Sequence, residues 1–247
     1  MAALHADIVG QGSPTLMLLH GLGVNGAVWQ PLLPHLSDWP GRIVMPDLRG
    51  HGRSPHRKSY GLGHHAADVA TLLAGDTDVH VLGHSMGGMV GLVLAGGLFG
   101  VRVASVFAFG VKVDWTEEEL ARGRQIASAP VRWFDDRAAA VERFLRVSGL
   151  TGLVGEDAPV VEAGVVAEGG RYRLAADSAT VLAAGADIAS VLDAAQVRWR
   201  LACGSRDPLV SIDALRRYDA EAIEIIGCGH NAHVEEPTAL ARLVPRP

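Results

Sequence analysis

Ser85 stands in Gly83-His84-Ser85-Met86-Gly87, where two differently patterned stretches meet. Val79-His80-Val81-Leu82 runs up to it as a β-branched, apolar segment of the kind that forms a buried strand. Beyond it, Met86, Val90 and Leu94 fall on one line at helical spacing, and Gly87, Gly91 and Ala95 on another. A serine between strand and helix with a glycine two residues to either side is a nucleophile elbow. The tight turn strains the serine into positive φ and presses its neighbours together, so only minimal side chains fit there. What results is a hydroxyl held at a sheet edge, with the Met86 amide and a helix N-terminus beside it. A hydroxyl is a weak nucleophile, so it needs a neutral imidazole to take its proton. The imidazole in turn needs a carboxylate, and developing oxyanion charge needs donors aimed at it. The competing reading, Ser85 as an ordinary helix cap, explains the residue but not the paired glycines.

The elements needed to position such a site are legible along the chain. A short edge strand or hairpin is expected around Ala6-Asp7-Ile8-Val9. Leu16-Met17-Leu18-Leu19 and Ile43-Val44-Met45 read as strands buried on both faces, and Val101 to Phe109 as another central one. Helices are expected over about Ala27–Leu36 and Leu62–Leu73, and after Ser85. Alternating β and α units of this kind make a parallel sheet wound with helices on both faces. Ligands on such sheets sit outside the carboxyl ends of the strands. His20-Gly21-Leu22-Gly23, Asp47 and Ser85 all fall at that edge.

The alternation breaks after Gly110. Residues 111–190 read as mainly helical, with Thr116 and Glu119 spaced as a capping box. Gly149 to Gly170 is rich in turn residues. Strand signals return at Val197–Cys203 and Ala222–Ile226, a short helix lies near Asp213–Tyr218, and a last helix begins at Pro237.

Composition narrows the class. With 49% hydrophobic residues in 247, the chain can bury a full core. A net charge of −5 with interspersed signs gives no electrostatic case for nucleic acid. Two cysteines, Cys203 and Cys228, make neither a disulfide framework nor a metal-ligand pattern. No P-loop or dinucleotide fingerprint is present. The opening Met1-Ala2-Ala3-Leu4-His5 lacks the basic and apolar regions of a signal peptide. The apolar stretch from Met86 to Val101 is too short and too glycine-rich for a membrane span. A cytoplasmic protein without membrane contact is expected.

Together these residues resemble the α/β-hydrolase superfamily across nearly the whole chain. His20-Gly21-Leu22-Gly23 is similar to its oxyanion loop, and Asp47-Leu48-Arg49-Gly50-His51-Gly52-Arg53-Ser54 to its Asp-x-Arg-Gly-x-Gly-x-Ser turn. Gly83 to Gly88 resembles its elbow. Gly204-Ser205-Arg206-Asp207-Pro208 and Gly227-Cys228-Gly229-His230 are similar to its acid and base turns, in the order Ser, Asp, His that the fold uses. The resemblance implies a mostly parallel sheet of seven or eight strands, with residues 1–110 and 191–247 as core and 111–190 as an inserted helical cap.

The roles it implies are Ser85 as nucleophile, His230 as base, Asp207 as orienting carboxylate, and the Leu22 and Met86 amides as oxyanion hole. His233 and Asp114 are rivals for base and acid; the Gly-Cys-Gly lead-in favours His230, and Asp207-Pro208 is preferred over Asp114. His84 and His20 are expected to be packing and loop-tying residues, and Asp47 to hold backbone amides. The implied activity is cofactor-independent hydrolysis of a carboxylic ester of a small apolar molecule. Trp115, Trp133, Phe134 and Phe144 are the candidate apolar wall, with packing of the cap as their alternative. A carbon–carbon bond, an enol-lactone or a thioester on the same three residues is the second reading, with Asn25 and the cap arginines as its polar groups. A ligand-sensing receptor is the third. No metal or cofactor is implied, and nothing in the sequence specifies the oligomeric state.

Overall fold

The computed structural model describes residues 3–247. Nine strands and nine α-helices are present among them, with two further helices in 3₁₀ geometry. The chain opens with β1 (Ala6–Val9) and β2 (Thr15–Leu19), then a 3₁₀ helix over Gly26–Leu36 and β3 (Arg42–Pro46). There follow α1 (Leu62–Leu72), β4 (Val79–His84), α2 (Met86–Leu94) and β5 (Val103–Phe109). Seven strands form one sheet in the order β1-β3-β2-β4-β5, continued by β8 (Arg198–Gly204) and β9 (Ile223–Ile225). Every pairing is parallel except that of β1 with β3, which runs antiparallel at the sheet edge.

All residues of β2 and β4 are buried, as central parallel strands covered on both faces are, Thr15, His80 and His84 included. One core, on the α1 and α2 side, gathers Met17, Val81, Val90 and Val106. The opposite core gathers Leu16, Leu18, Trp29, Leu82 and Phe109 beneath the 3₁₀ helix and the C-terminal helices. The sequence predicts an ordinary helix over about Ala27–Leu36. The segment winds as 3₁₀ because Pro31 and Pro34 lie inside it and remove amide donors.

Between β5 and β8 the chain makes a long excursion. It holds α3 (Glu117–Ser128), α4 (Arg137–Ser148), α5 (Pro159–Glu162), β6 (Val165–Glu168), β7 (Arg171–Leu174), a 3₁₀ turn over Ser178–Ala183 and α6 (Ile188–Ala194). Thr116 and Glu119 close the expected capping box at the start of α3. The β6–β7 hairpin is not foreseen by a purely helical reading. Its two-residue Gly169-Gly170 turn has both residues at positive φ, +58° and +77°, which suits a tight hairpin and which side chains resist. After β8 come α7 (Ile212–Arg216), β9, α8 (Ala232–Glu235) and α9 (Pro237–Ala241). No described helix is long and apolar enough to cross a membrane.

Candidate active site

Ser85 caps α2 at φ 51°, ψ −117°, and is the one described non-glycine residue with positive φ. The glycines around it are sterically obligatory. A Cβ on Gly83 would lie 2.5 Å from the Gly88 Cα, and one on Gly87 would lie 2.2 Å from the Leu19 carbonyl oxygen. The Ser85 amide donates to the Phe109 carbonyl at 2.8 Å, tying the turn to the end of β5. Ser85 is half-buried, with its side chain on the wall of a cavity of about 660 Å³.

His230, from the turn after β9, lines the same cavity. Its Nδ1 lies 2.8 Å from Oδ2 of Asp207, whose side chain is fully shielded from solvent. A carboxylate only accepts, so Nδ1 carries the proton and Nε2 is left as the basic nitrogen. Asp207 is held by the Leu209 amide, which donates to Oδ1 at 2.8 Å. No hydrogen bond joins Ser85 to His230 in this state, a link that commonly tightens only with substrate bound.

Two residues that the sequence did not single out hold the His230 turn. Glu235 accepts the Gly229 amide at 2.7 Å and the Asn231 amide at 3.0 Å, one on each side of the histidine. The Asn231 side chain donates to the Ser148 and Gly149 carbonyls at 3.2 and 3.1 Å, at the end of α4. Neither role carries a motif, because the partners are backbone groups.

The rivals are placed elsewhere. His233 is fully buried, with its ring 4.8 Å from that of Trp29 and 4.7 Å from that of His84, and burial pushes its pKa down to about 3. Asp114 is exposed and paired with Arg217. His84 is buried between Phe109 and His230, at ring separations of 4.9 and 4.6 Å, and burial holds it well below the usual histidine range.

The loop after β2 is fixed from behind. The Leu48 amide donates to Nε2 of His20 at 2.9 Å, so Nδ1 must carry the ring proton, and it donates to the Gly21 carbonyl at 2.7 Å. Burial lowers the His20 pKa to about 4, keeping this arrangement neutral. Asp47 accepts the Gly26 amide at 2.7 Å and the Arg53 amide at 2.8 Å. Leu22 and Met86 both reach the cavity, Met86 as the first residue of α2, where helical amides lack carbonyl partners.

Of the four aromatic residues expected on the cavity wall, Trp115 is there. The other three are not, and each is occupied by packing. Phe144 is 1% exposed in the core and touches Gly164 so closely that a Cβ there would lie 2.3 Å from its ring. Phe134 is buried and pairs through its backbone with Tyr172. Trp133 lies beneath the guanidinium groups of Arg171 and Arg173. The rest of the apolar wall is made by residues such as Leu22, Val24, Met86, Met89 and Leu153, with Lys112, Arg146, Thr151 and Glu235 among the polar residues beside them. Asn25 is also committed: its amide donates to the Val160 carbonyl at 2.8 Å and its oxygen caps the 3₁₀ helix.

Fold and sequence agree on the class. The family model described as the Alpha/beta hydrolase family matches residues 16–243, and the chain belongs to that family. Over 95 residues it is 40% identical to Lipase LipV of Mycobacterium tuberculosis, covering 37% of this chain and 36% of that one. Over 152 residues it is 31% identical to the pimeloyl-[acyl-carrier protein] methyl ester esterase of Vibrio campbellii, covering 60% and 57%. The chain thus spans from about a third to somewhat over half of the length of these curated relatives. Among solved structures, the thioesterase domain from the curacin biosynthetic pathway superposes with a TM-score of 0.75 at 21% identity, over 98% of this chain and 99% of that one. E-2-(Acetamidomethylene)succinate hydrolase gives 0.74 at 23% identity, over 97% and 93%.

Proposed function

We propose that this protein is a cofactor-independent serine hydrolase that cleaves carboxylic esters of small, largely apolar molecules. The observation that carries the reading is His230 on the wall of the cavity that also holds the strained Ser85, backed at 2.8 Å by the shielded carboxylate of Asp207. Nε2 of His230 takes the Ser85 proton as Oγ attacks the ester carbon. The carbonyl electron pair moves to oxygen, where the Leu22 and Met86 amides stabilise it. Collapse of the tetrahedral species expels the alcohol, which receives the proton from His230 and leaves an acyl-Ser85. Water, deprotonated by the same imidazole, then releases the acid and restores the serine. Each oxyanion donor is worth roughly 3–4 kcal/mol of barrier.

The segment 111–190 acts as the cap in this reading, because α4 and the following loop contribute Val147, Thr151 and Leu153 to the cavity. A mainly apolar wall favours an apolar acyl or alcohol group. The relatives named as lipase and methyl ester esterase point to the same bond. Carbon–carbon cleavage loses one of its two supports, since Asn25 is already engaged in holding the 3₁₀ helix to Val160. The test is turnover of p-nitrophenyl acetate through octanoate, with fluorophosphonate labelling of wild type and Ser85→Ala. Ester turnover and labelling that both vanish in the variant are expected. Labelling that survives Ser85→Ala, or no turnover of any ester, overturns the proposal.

A further inference from the structure

Asn231 connects the His230 turn to the part of the excursion that a substrate would touch. It is 3% exposed, and its amide nitrogen reaches two carbonyls, Ser148 and Gly149, at 3.2 and 3.1 Å. Those carbonyls close α4, where helical carbonyls have no partner of their own. Because both can only accept, the amide orientation is fixed, and its oxygen faces away from them. That oxygen is buried and has no partner among the described residues, so α4 holds the amide from one side only. The same stretch of chain, Val147 to Gly149 with Thr151 and Leu153, lines the cavity. On its other side the turn is clamped by Glu235 through the Gly229 and Asn231 amides, which ties the residues on either side of His230 together. The Ser85–His230 bond that this turn must close is open in the present state.

We propose that Asn231 is a positioning residue that makes alignment of His230 depend on filling of the cavity. The proposal rests on the reading of His230 as the base. An acyl chain long enough to pack against the end of α4 favours the α4 position in which Asn231 brings His230 to Ser85. A short acyl group makes no such contact and gives no bias. A ligand shifts an equilibrium only through contacts that differ between its two states, and the Val147–Leu153 wall supplies them. The consequence is specificity expressed in kcat and not only in KM, because a misplacement of about 1 Å at a reacting centre costs on the order of 100-fold.

The experiment is a kcat and KM series on p-nitrophenyl esters of two to eight acyl carbons, for wild type, Asn231→Ala and Val147→Ala. In wild type kcat rises at least tenfold with acyl length while KM falls. In Asn231→Ala the rise in kcat shrinks below threefold, and KM still falls, because apolar burial is intact. In Val147→Ala, whose wall is shortened without touching the tie, the rise moves to esters one or two carbons longer. This second variant decides the matter if Asn231→Ala does not fold. A flat kcat series in an active wild type overturns the coupling alone. So does an Asn231→Ala effect that is the same factor for every ester, or a Val147→Ala profile that stays in place. Absence of turnover and of Ser85 labelling in wild type overturns the serine-hydrolase reading and the coupling with it.

Discussion

His230 donates through Nδ1 to one oxygen of Asp207 across 2.8 Å, while the other oxygen of that carboxylate accepts the Leu209 amide at the same distance. The two bonds make an amide a poor substitute. In Asp207→Asn the Leu209 amide still requires an acceptor, so the carbonyl oxygen stays there and the NH2 group turns toward His230. Nδ1 must then accept, the ring proton moves to Nε2, and the base cannot take a proton from Ser85. Loss of kcat/KM by about 10³–10⁴ is expected with the fold intact, measured by ester turnover beside circular dichroism. An Asp207→Asn enzyme within tenfold of wild type would remove Asp207 from the mechanism.

Ser85 stores backbone strain at φ 51°, ψ −117°, a region that side chains avoid and glycine tolerates. Relief of that strain is worth about 1–3 kcal/mol, offset by the roughly 0.5–1 kcal/mol of extra freedom that glycine has in the unfolded chain. Ser85→Gly is therefore expected to melt a few degrees above wild type and above Ser85→Ala, which keeps the strain, while both lack activity. Thermal denaturation of the three proteins checks this. A glycine variant that melts below the alanine variant contradicts it.

How much of this was legible in the chain depends on the range of the interaction. Gly83, Ser85 and Gly87 meet through local geometry, so their spacing announced the strand–helix junction found between β4 and α2. The buried runs of β2, β3 and β4 were legible because a central parallel strand is apolar on both faces. Trp133, Phe134 and Phe144 were misplaced because an aromatic residue looks the same in sequence whether it faces a cavity or Gly164. Only the tertiary packing of α4 on β6 and β7 decides the matter. The β6–β7 hairpin was hidden among turn residues of Gly149 to Gly170, and Glu235 and Asn231 because their partners are main-chain groups without side-chain identity.

Burial of several histidines predicts an acid-sensitive protein. It lowers the pKa values of His51, His65 and His233 to about 3 and of His20 to about 4, and holds His84 well below 6.5. The unfolded chain binds protons at these residues below about 6.5, whereas in the native state His20, His51, His65 and His233 do not until near 3–4 and His84 not until well below 6.5. The unfolded state therefore holds more protons in that window, and stability falls as pH falls through it, while above about 7 it is flat in these groups. Each imidazole contributes at most about 1.4 kcal/mol per pH unit, against a total stability of about 5–15 kcal/mol. Acid unfolding is expected between roughly pH 5 and 4. Urea midpoints from pH 8 to 4 measure the slope, and His51→Phe should flatten it by up to one proton. A slope unchanged by His51→Phe, or stability rising as pH falls from 6.5, contradicts the assignment.

His230 and His233 lie three residues apart in different environments. His230 has a carboxylate on Nδ1 and reaches the cavity, whereas His233 has no partner on either nitrogen and packs among Trp29, His84 and Phe109. Removing the His230 ring should abolish the proton transfer. His230→Ala is expected to lose about 10⁴-fold or more in kcat, with a melting temperature near that of wild type. Removing the His233 ring leaves a hole in a closed core, which should cost on the order of 3 kcal/mol, as for other buried rings. His233→Ala should keep kcat within tenfold when normalised to phosphonate-titratable sites, while its urea midpoint falls. The two variants thus separate on orthogonal readouts, turnover for one and stability for the other. The opposite pattern, turnover lost at 233 and retained at 230, would transfer the role of base to the buried ring.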